Sequence, residues 1–262
     1  MPLGPLLRRL SGRRASHAAP PRPEGPVYAV GDLHGRADLL ARALHAVSAD
    51  AGDAGGATLV LLGDYVDRGP DSAGVLARAR ALTDGAAGVA GVDRVVALLG
   101  NHEAMMLDML DDPVGLGRRW LRHGGLDTLT SYGVAGLPDR APPPALREAA
   151  DALRRAMPEG TEAWLRARPA TWRSGDVAFV HAGLDPDRAP GDQPAEVAVW
   201  GHPAFRRRPR ADGLWVVHGH TIVPEPSARD GRVACDTGAY ETGRLTVAAL
   251  DGGPVRFLAV HG

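Results

Sequence analysis

Val27-Tyr28-Ala29-Val30-Gly31-Asp32-Leu33-His34-Gly35 is the stretch on which the fold turns. Four apolar residues in a row with no polar alternation read as a strand buried on both faces, as in a parallel sheet. The strand runs into Gly31, and Asp32 and His34 then follow two residues apart. In an extended segment that spacing points both side chains to one side, where they can share an ion. Gly31 and Gly35 let the backbone turn around it.

The same grammar recurs along the chain. Leu59-Val60-Leu61-Leu62 leads into Gly63-Asp64-Tyr65-Val66-Asp67-Arg68-Gly69, and Val95-Val96-Ala97-Leu98-Leu99 leads into Gly100-Asn101-His102-Glu103. Further on, Val177-Ala178-Phe179-Val180 enters His181-Ala182-Gly183, and Trp215-Val216-Val217 precedes Gly219-His220-Thr221. Between the first motifs, residues 36–49 place Leu39, Leu40, Ala43, Leu44 and Val47 on one helical face, and residues 71–82 do the same with Val75, Leu76, Ala79 and Leu82. Strand, loop and helix in repetition predict parallel βαβ units, whose ligands collect beyond the carboxyl ends of the strands. That is where the first three motifs fall.

Residues 104–170 break the pattern. They hold Trp120, Trp164, helical stretches near 104–122 and 144–157, and the Pro142-Pro143-Pro144 interruption, and they read as a helical insertion covering one side of the site. Leu245 to Leu250 and Val255 to Val260, joined through Asp251-Gly252-Gly253-Pro254, predict a closing antiparallel hairpin. Residues 1–26 carry Arg8, Arg9, Arg13 and Arg14 with Pro20, Pro21, Pro23 and Pro26. That composition predicts a flexible tail, and Leu3, Leu6, Leu7 and Leu10 give it one amphipathic stretch. Residues 27–262 are expected to form one domain.

Bulk composition narrows the chemistry. The 262 residues are 44% hydrophobic, enough for a large core. The net charge of −1 supplies no global field for nucleic acid or anionic membrane, so any phosphate recognition must be local. All 30 basic residues are arginine, and neither a basic surface nor interleaved aromatics mark a nucleic-acid phosphodiesterase. Cys235 is the one cysteine, which excludes an intrachain disulfide; in Val233-Ala234-Cys235-Asp236 it reads as a packed strand-end thiol. No run is long enough to span a membrane, and the N-terminus lacks an apolar signal region, so the expected location is the cytoplasm.

The motifs supply Asp, His and Asn at the density of a two-metal centre. Asp64 is the natural bridging carboxylate, and Asn101, His181 and His220 complete a second ion. This oxygen- and imidazole-rich set suits Mn, Fe or Zn better than calcium. Such ions neutralise phosphoryl oxygens and make water nucleophilic, the chemistry of phosphate-ester hydrolysis.

The order of the motifs resembles that of the calcineurin-like metallophosphoesterases. Val66-Asp67-Arg68-Gly69 with Gly100-Asn101-His102-Glu103 resembles the phosphoprotein phosphatase branch, in particular its small bacterial and phage serine/threonine phosphatases. Trp120-Leu121-Arg122-His123-Gly124-Gly125 and Thr128-Leu129-Thr130-Ser131-Tyr132-Gly133 carry the same resemblance. It implies an α/β fold of two packed mixed β-sheets flanked by helices. It implies Asp32, His34 and Asp64 on the first metal, and Asp64, Asn101, His181 and His220 on the second. His102 resembles the general acid, Asp67 its orienting partner, and Arg68 the phosphate clamp. A metal-bridging water would attack directly, without a covalent phosphoenzyme.

The sequence departs from that family where a second phosphate-binding arginine usually follows a tryptophan. Here the stretch is Trp200-Gly201-His202-Pro203. His202, or one of Arg206, Arg207 and Arg208, is the expected substitute. Arg118, Arg119 and Arg122 read as a solvated helix face. The leading expectation is a Mn-dependent hydrolase of phosphoserine or phosphothreonine in proteins and of small phosphoesters. Its rivals are a dinucleoside polyphosphate hydrolase and a catalytically silent phospho-binding module. The silent module is disfavoured because no ligand or general acid is missing.

Overall fold

The computed structural model describes residues 17, 19–52, 55–134, 136–138 and 140–262. Three strands open the fold: β1 (Val27–Val30), β2 (Ala57–Leu61) and β3 (Val92–Ala97), paired in parallel in that order. Each is followed by a helix: α1 (Ala37–Ala51), α2 (Ser72–Thr83) and α3 (Asn101–Asp111). The Asp71 carboxylate caps α2 by accepting the Gly74 N–H at 2.7 Å.

A helical stretch comes next, with α4 (Gly117–Trp120), a kinked turn (Leu121–Gly125) in which Gly124 has φ 106°, α5 (Leu126–Ser131), α6 (Pro143–Ala156) and α7 (Thr161–Arg166). The predicted stretches near 104–122 and 144–157 thus correspond to α3 with α4 and to α6. The chain then forms β4 (Thr171–Ser174), β5 (Val177–Val180), α8 (Ala195–Trp200), β6 (Trp215–His218), β7 (Ser227–Arg229) and β8 (Arg232–Ala234). It closes with α9 (Ala239–Thr242), β9 (Arg244–Leu250) and β10 (Arg256–His261), the last two an antiparallel hairpin as expected.

Two mixed five-stranded sheets result, one ordered β10-β9-β1-β2-β3 and the other β4-β5-β6-β8-β7. Period-two alternation sorts their side chains. Val27, Ala29, Val60, Leu62, Val96 and Leu98 from the first sheet meet Val177, Phe179, Val217, Val233 and Cys235 from the second in an inner core. The opposite residues of the first sheet, such as Val30, Leu59 and Leu61, face α1, α2, α3 and the helical stretch. On the second sheet Ala178, Val180 and Val216 face Ala198 of α8. This is the expected architecture of two packed sheets flanked by helices. Cys235 is buried there, and burial pushes its thiol well above the usual range, as befits a packing residue.

One expectation is corrected at the N-terminus. Residues 19–26 are not a free tail. The Trp215 indole donates to the Ala19 carbonyl at 3.2 Å, the Arg22 N–H donates to Asp176 Oδ1 at 2.6 Å, and the Glu24 N–H donates to Ser174 Oγ at 2.9 Å. A proline-rich extended strap needs no core of its own when the β4–β5 turn and Trp215 supply partners for its backbone. The arginines at 8, 9, 13 and 14 and the leucines at 3, 6, 7 and 10 lie outside the described residues. Among the described residues no helix is long and apolar enough to cross a membrane.

Candidate metal centre

The carboxyl ends of β1, β2, β3, β5 and β6 meet at one edge of the two-sheet stack, and every predicted ligand lies just beyond one of them, Asn101 as the first residue of α3. Asp64 lies at the middle. Its Oδ2 is 3.5 Å from His34 Nε2 and 3.9 Å from His102 Nε2, and its Oδ1 is 3.3 Å from His181 Nε2. Asn101 Oδ1 sits 2.8 Å from both His181 Nε2 and His220 Nδ1. His34, Asp64 and His102 offer one convergent donor group, and Asp64, His181 and His220 another. Asp32 lies beside them, accepting the His220 N–H at 2.9 Å and standing 4.0 Å from His181 Nδ1.

The geometry arises differently from the extended segment read in the sequence. His34 has φ 41°, so Asp32 and His34 converge through a turn and not by strand alternation. Six non-glycine residues described here have left-handed φ, and His34, Asp64, Asp67, Arg68 and His220 are five of them. Such conformations cost of order 1–3 kcal/mol each and persist where surrounding contacts impose them. Glu103 is one such restraint. Fully buried, its carboxylate accepts the N–H groups of Asp64, Tyr65 and Gly100 at 2.8, 2.7 and 3.0 Å, tying the second and third motifs together. Close approach explains two glycines. A β-carbon at Gly219 would overlap the Asp32 carboxylate, and one at Gly63 would come within 2.7 Å of the Gly100 nitrogen.

The donor set fits divalent ions. His34 Nδ1 donates to the Val66 carbonyl at 2.8 Å and His181 Nδ1 to the Leu62 carbonyl at 3.1 Å, which leaves each Nε2 lone pair facing the cluster. Asp32, Asp64 and Asp236 are at most 3% exposed, and no arginine pairs with any of them among the described residues. Buried carboxylates without cations are costly. Their titration reflects that tension. Burial, then the charges of Asp236 and Asp64, raise Asp32 well above its ordinary value. At Asp64 burial opposes ionisation, but His181, His102 and His34 outweigh it and hold the carboxyl well down. Burial lowers His34 to about 3 and His220 to about 4, keeping both imidazoles in the neutral form that binds metals.

A second constellation abuts the first. His102 Nδ1 and Asp67 Oδ2 are 2.6 Å apart. Asp67 is fully buried, and its carboxylate also accepts from Trp120 Nε1 at 2.9 and 3.0 Å and from Thr128 Oγ1 at 2.7 Å. Burial pushes Asp67 well up and His102 down to about 4. When one proton is shared between Asp67 Oδ2 and His102 Nδ1, the ring carries its other hydrogen on Nε2. Arg68 places Nη1 3.1 Å from His34 Nε2, and its guanidinium lies over the Tyr240 ring at 4.8 Å.

Three of the expected substitutes for a second arginine find other partners or surroundings. His202 Nδ1 accepts the Ala204 N–H at 3.3 Å, Arg208 pairs with Asp187, and Arg206 lines a separate hollow with Arg229 and Arg232. Tyr240, Thr128 and the bracing role of Glu103 were not evident from sequence. Tyr240 carried no signal beyond following Asp236-Thr237-Gly238, while Thr128 and Glu103 lay inside quoted motifs without an assigned task.

The Asp, His and Asn donors clustered at the strand ends of this two-sheet stack could hold divalent ions. The family model for calcineurin-like phosphoesterases matches residues 25–224, and the chain belongs to that family. A relative from Ralstonia nicotianae, named as a symmetrical bis(5'-nucleosyl)-tetraphosphatase, is 33% identical over 64% of this chain and 45% of its own length. Serine/threonine-protein phosphatase 2 of Escherichia coli is 35% identical over 38% of each chain. The chain thus aligns with less than half the length of these relatives. Among solved structures, the cold-active protein-tyrosine phosphatase of a Shewanella species superposes with a TM-score of 0.55 at 19% identity, covering 89% of this chain and 80% of that one, which shows a shared fold.

Proposed function

We propose that this chain hydrolyses phosphomonoesters, with serine and threonine phosphates of proteins as the preferred class. The observation that carries this reading is the buried Asp67–His102 pair beside the donor cluster. Asp32, His34, Asp64, Asn101, His181 and His220 would hold two divalent ions, manganese first, with iron or zinc as alternatives. Ions bound there supply charge neutralisation of the phosphoryl oxygens and a nucleophilic water at neutral pH. The protein's own groups do the rest. Arg68 offers a guanidinium fork to two phosphoryl oxygens. His102 presents its Nε2 hydrogen toward the cluster, with Asp67 fixing the ring and stabilising its positive charge.

The choice of ester follows from that proton. A serine or threonine alkoxide is a strongly basic leaving group, and a positioned acid is worth about 10²–10⁴ in rate. A nucleotide phosphate leaves as a weak base and gains less. The second reading, hydrolysis of dinucleoside tetraphosphates, is favoured by the name of the Ralstonia relative.

A phosphoserine peptide, a phosphothreonine peptide, p-nitrophenyl phosphate and diadenosine tetraphosphate, each supplied with manganese, separate the readings. The expected result is faster turnover of the peptides, with His102→Asn costing them about 10²–10⁴ in kcat. Turnover of diadenosine tetraphosphate alone would reverse the order. Equal inactivity of wild type and His102→Asn on every substrate would favour a silent binding module.

A further inference from the structure

The helical stretch does more than cover the site, because one of its exposed arginines, Arg119, stacks on the helix that follows the His181 loop. Arg119 lies in α4, and the kinked turn that follows is fastened to Arg68. The Arg68 N–H points to the Gly124 carbonyl at 3.4 Å, and a β-carbon at Gly124 would stand 2.8 Å from the Arg68 side chain. One turn after Arg119, His123 Nδ1 donates to the Arg119 carbonyl at 2.7 Å, and its ring centroid is 6.4 Å from that of His102. Arg119 therefore starts on the Asp67–His102 side of the cluster.

Its guanidinium ends on the other side. The Cζ atom lies 4.3 Å from the ring centroid of Trp200, the last residue of α8. That helix is joined to the His181 loop: the Ala182 N–H donates to the Ala198 carbonyl at 2.8 Å, and Gly201 packs against the Ala182 side chain. Arg119 thus spans the mouth from the His102 side to the His181 side. Among the described residues it makes no ion pair, so its charge is not spent within the fold. Burial raises the carboxyl of half-buried Asp108, and the charge of Arg119 only partly offsets that rise.

We infer that Arg119, seated on Trp200, binds the substrate's phosphoryl group from the side of the cleft opposite Arg68, in place of any arginine after Trp200. The inference rests on the phosphoester reading. A phosphomonoester dianion between Arg68 and Arg119 meets two planar forks, and the Trp200 ring holds the second in place without consuming its hydrogen-bond donors.

Calorimetric titration of the manganese-loaded protein with inorganic phosphate tests this without turnover, and KM for p-nitrophenyl phosphate gives a second readout. Arg119→Met keeps an unbranched stem on Trp200 and removes the charge, Arg119→Lys restores a charge, and Arg122→Met removes an exposed arginine from the adjoining turn. Arg119→Met is expected to weaken phosphate binding and raise KM about tenfold, with kcat within about threefold and an unchanged melting temperature. Arg119→Lys should recover part of the loss, and Arg122→Met should match wild type. Wild-type phosphate affinity in Arg119→Met, an equal loss in Arg122→Met, or no phosphate binding by wild type would each overturn the assignment. A wild type that binds phosphate but hydrolyses no ester would sink the phosphoester reading, while the comparison of phosphate affinities would still decide the role of Arg119.

Discussion

Thr128→Val isolates what the Asp67 hub contributes. The substitution keeps the branched shape of a fully buried side chain and removes one oxygen. That oxygen donates to Asp67 Oδ1 at 2.7 Å and accepts the Asp67 N–H at 2.8 Å; the same N–H also reaches Ser72 Oγ at 3.0 Å. The backbone donor therefore keeps a partner, and what is lost is the hydrogen bond to a buried carboxylate, worth about 1.5–3 kcal/mol, together with the weaker 3.0 Å bond between Thr128 Oγ1 and Ser72 Oγ. Thermal denaturation should register this as a fall of about 4–8 °C, taking about 2 kcal/mol and 2–4 °C per kcal/mol. The kinetic effect should depend on the leaving group. With one donor fewer, the Asp67 carboxylate holds the His102 proton more tightly, so kcat should fall on a phosphoserine peptide and change little on p-nitrophenyl phosphate, whose leaving group is a weak base. An equal loss on both substrates would mean the pair only shapes the pocket. An unchanged melting temperature would refute the hydrogen-bond argument itself.

His218 gives a pH dependence. Burial lowers it from the ordinary 6.5 to about 4, so between those values the unfolded chain binds a proton that the folded chain does not, and stability falls as pH falls. In metal-free protein His218→Gln should flatten that slope by about 1.4 kcal/mol per pH unit, measured by urea unfolding at pH 4.5 to 6.5; parallel slopes would contradict it. Gly219→Ala should displace the Asp32 carboxylate and lower the manganese retained per chain by elemental analysis, an idea that fails if retention is unchanged. His202→Arg should lower KM for p-nitrophenyl phosphate by adding a guanidinium beside Trp200, and an unchanged or higher KM would count against it. Manganese at about a hundredfold over its Kd should stabilise wild type by about 2.7 kcal/mol per site, and chelation should remove this; an unmoved melting temperature would deny that the cluster binds ions.

The strand-to-motif grammar was legible because two physical signals coincided: continuous apolar runs that only a sheet covered on both faces accepts, and glycines where the backbone must pass closely. Val27–Val30 and Val177–Val180 match the structure residue for residue. The left-handed backbone at His34, Asp64, Asp67, Arg68 and His220 was not legible. No local propensity predicts it, since it is imposed by long-range partners such as Glu103, 39 residues from Asp64. The short strands β4 and β7 escaped notice because Thr171–Ser174 and Ser227–Arg229 carry too few apolar residues to show a period. The docked strap at residues 19–26 was misread for a related reason. Composition tells whether a segment can build a core, and not whether another element offers its backbone hydrogen bonds. Arg119 is exposed, as expected of a solvated helix face, but its stacking on Trp200, 81 positions away on the other sheet's helix, was not legible.

The division of the donors between the two sheets ties the site to the fold. Asp32, His34, Asp64 and Asn101 follow strands of the first sheet, while His181 and His220 follow strands of the second. Asn101 Oδ1, equidistant from His181 and His220, lies on the seam. Convergence therefore requires the inner core of Val60, Leu62, Phe179 and Val217 to pack correctly. Without ions, the same seam gathers buried carboxylates that lack arginine partners, which works against the packing that assembles them. Divalent ions bound as proposed would reverse the sign of that contribution by binding donors from both sheets at once. Ion binding and sheet packing would then be linked, each supplying part of the free energy the other needs.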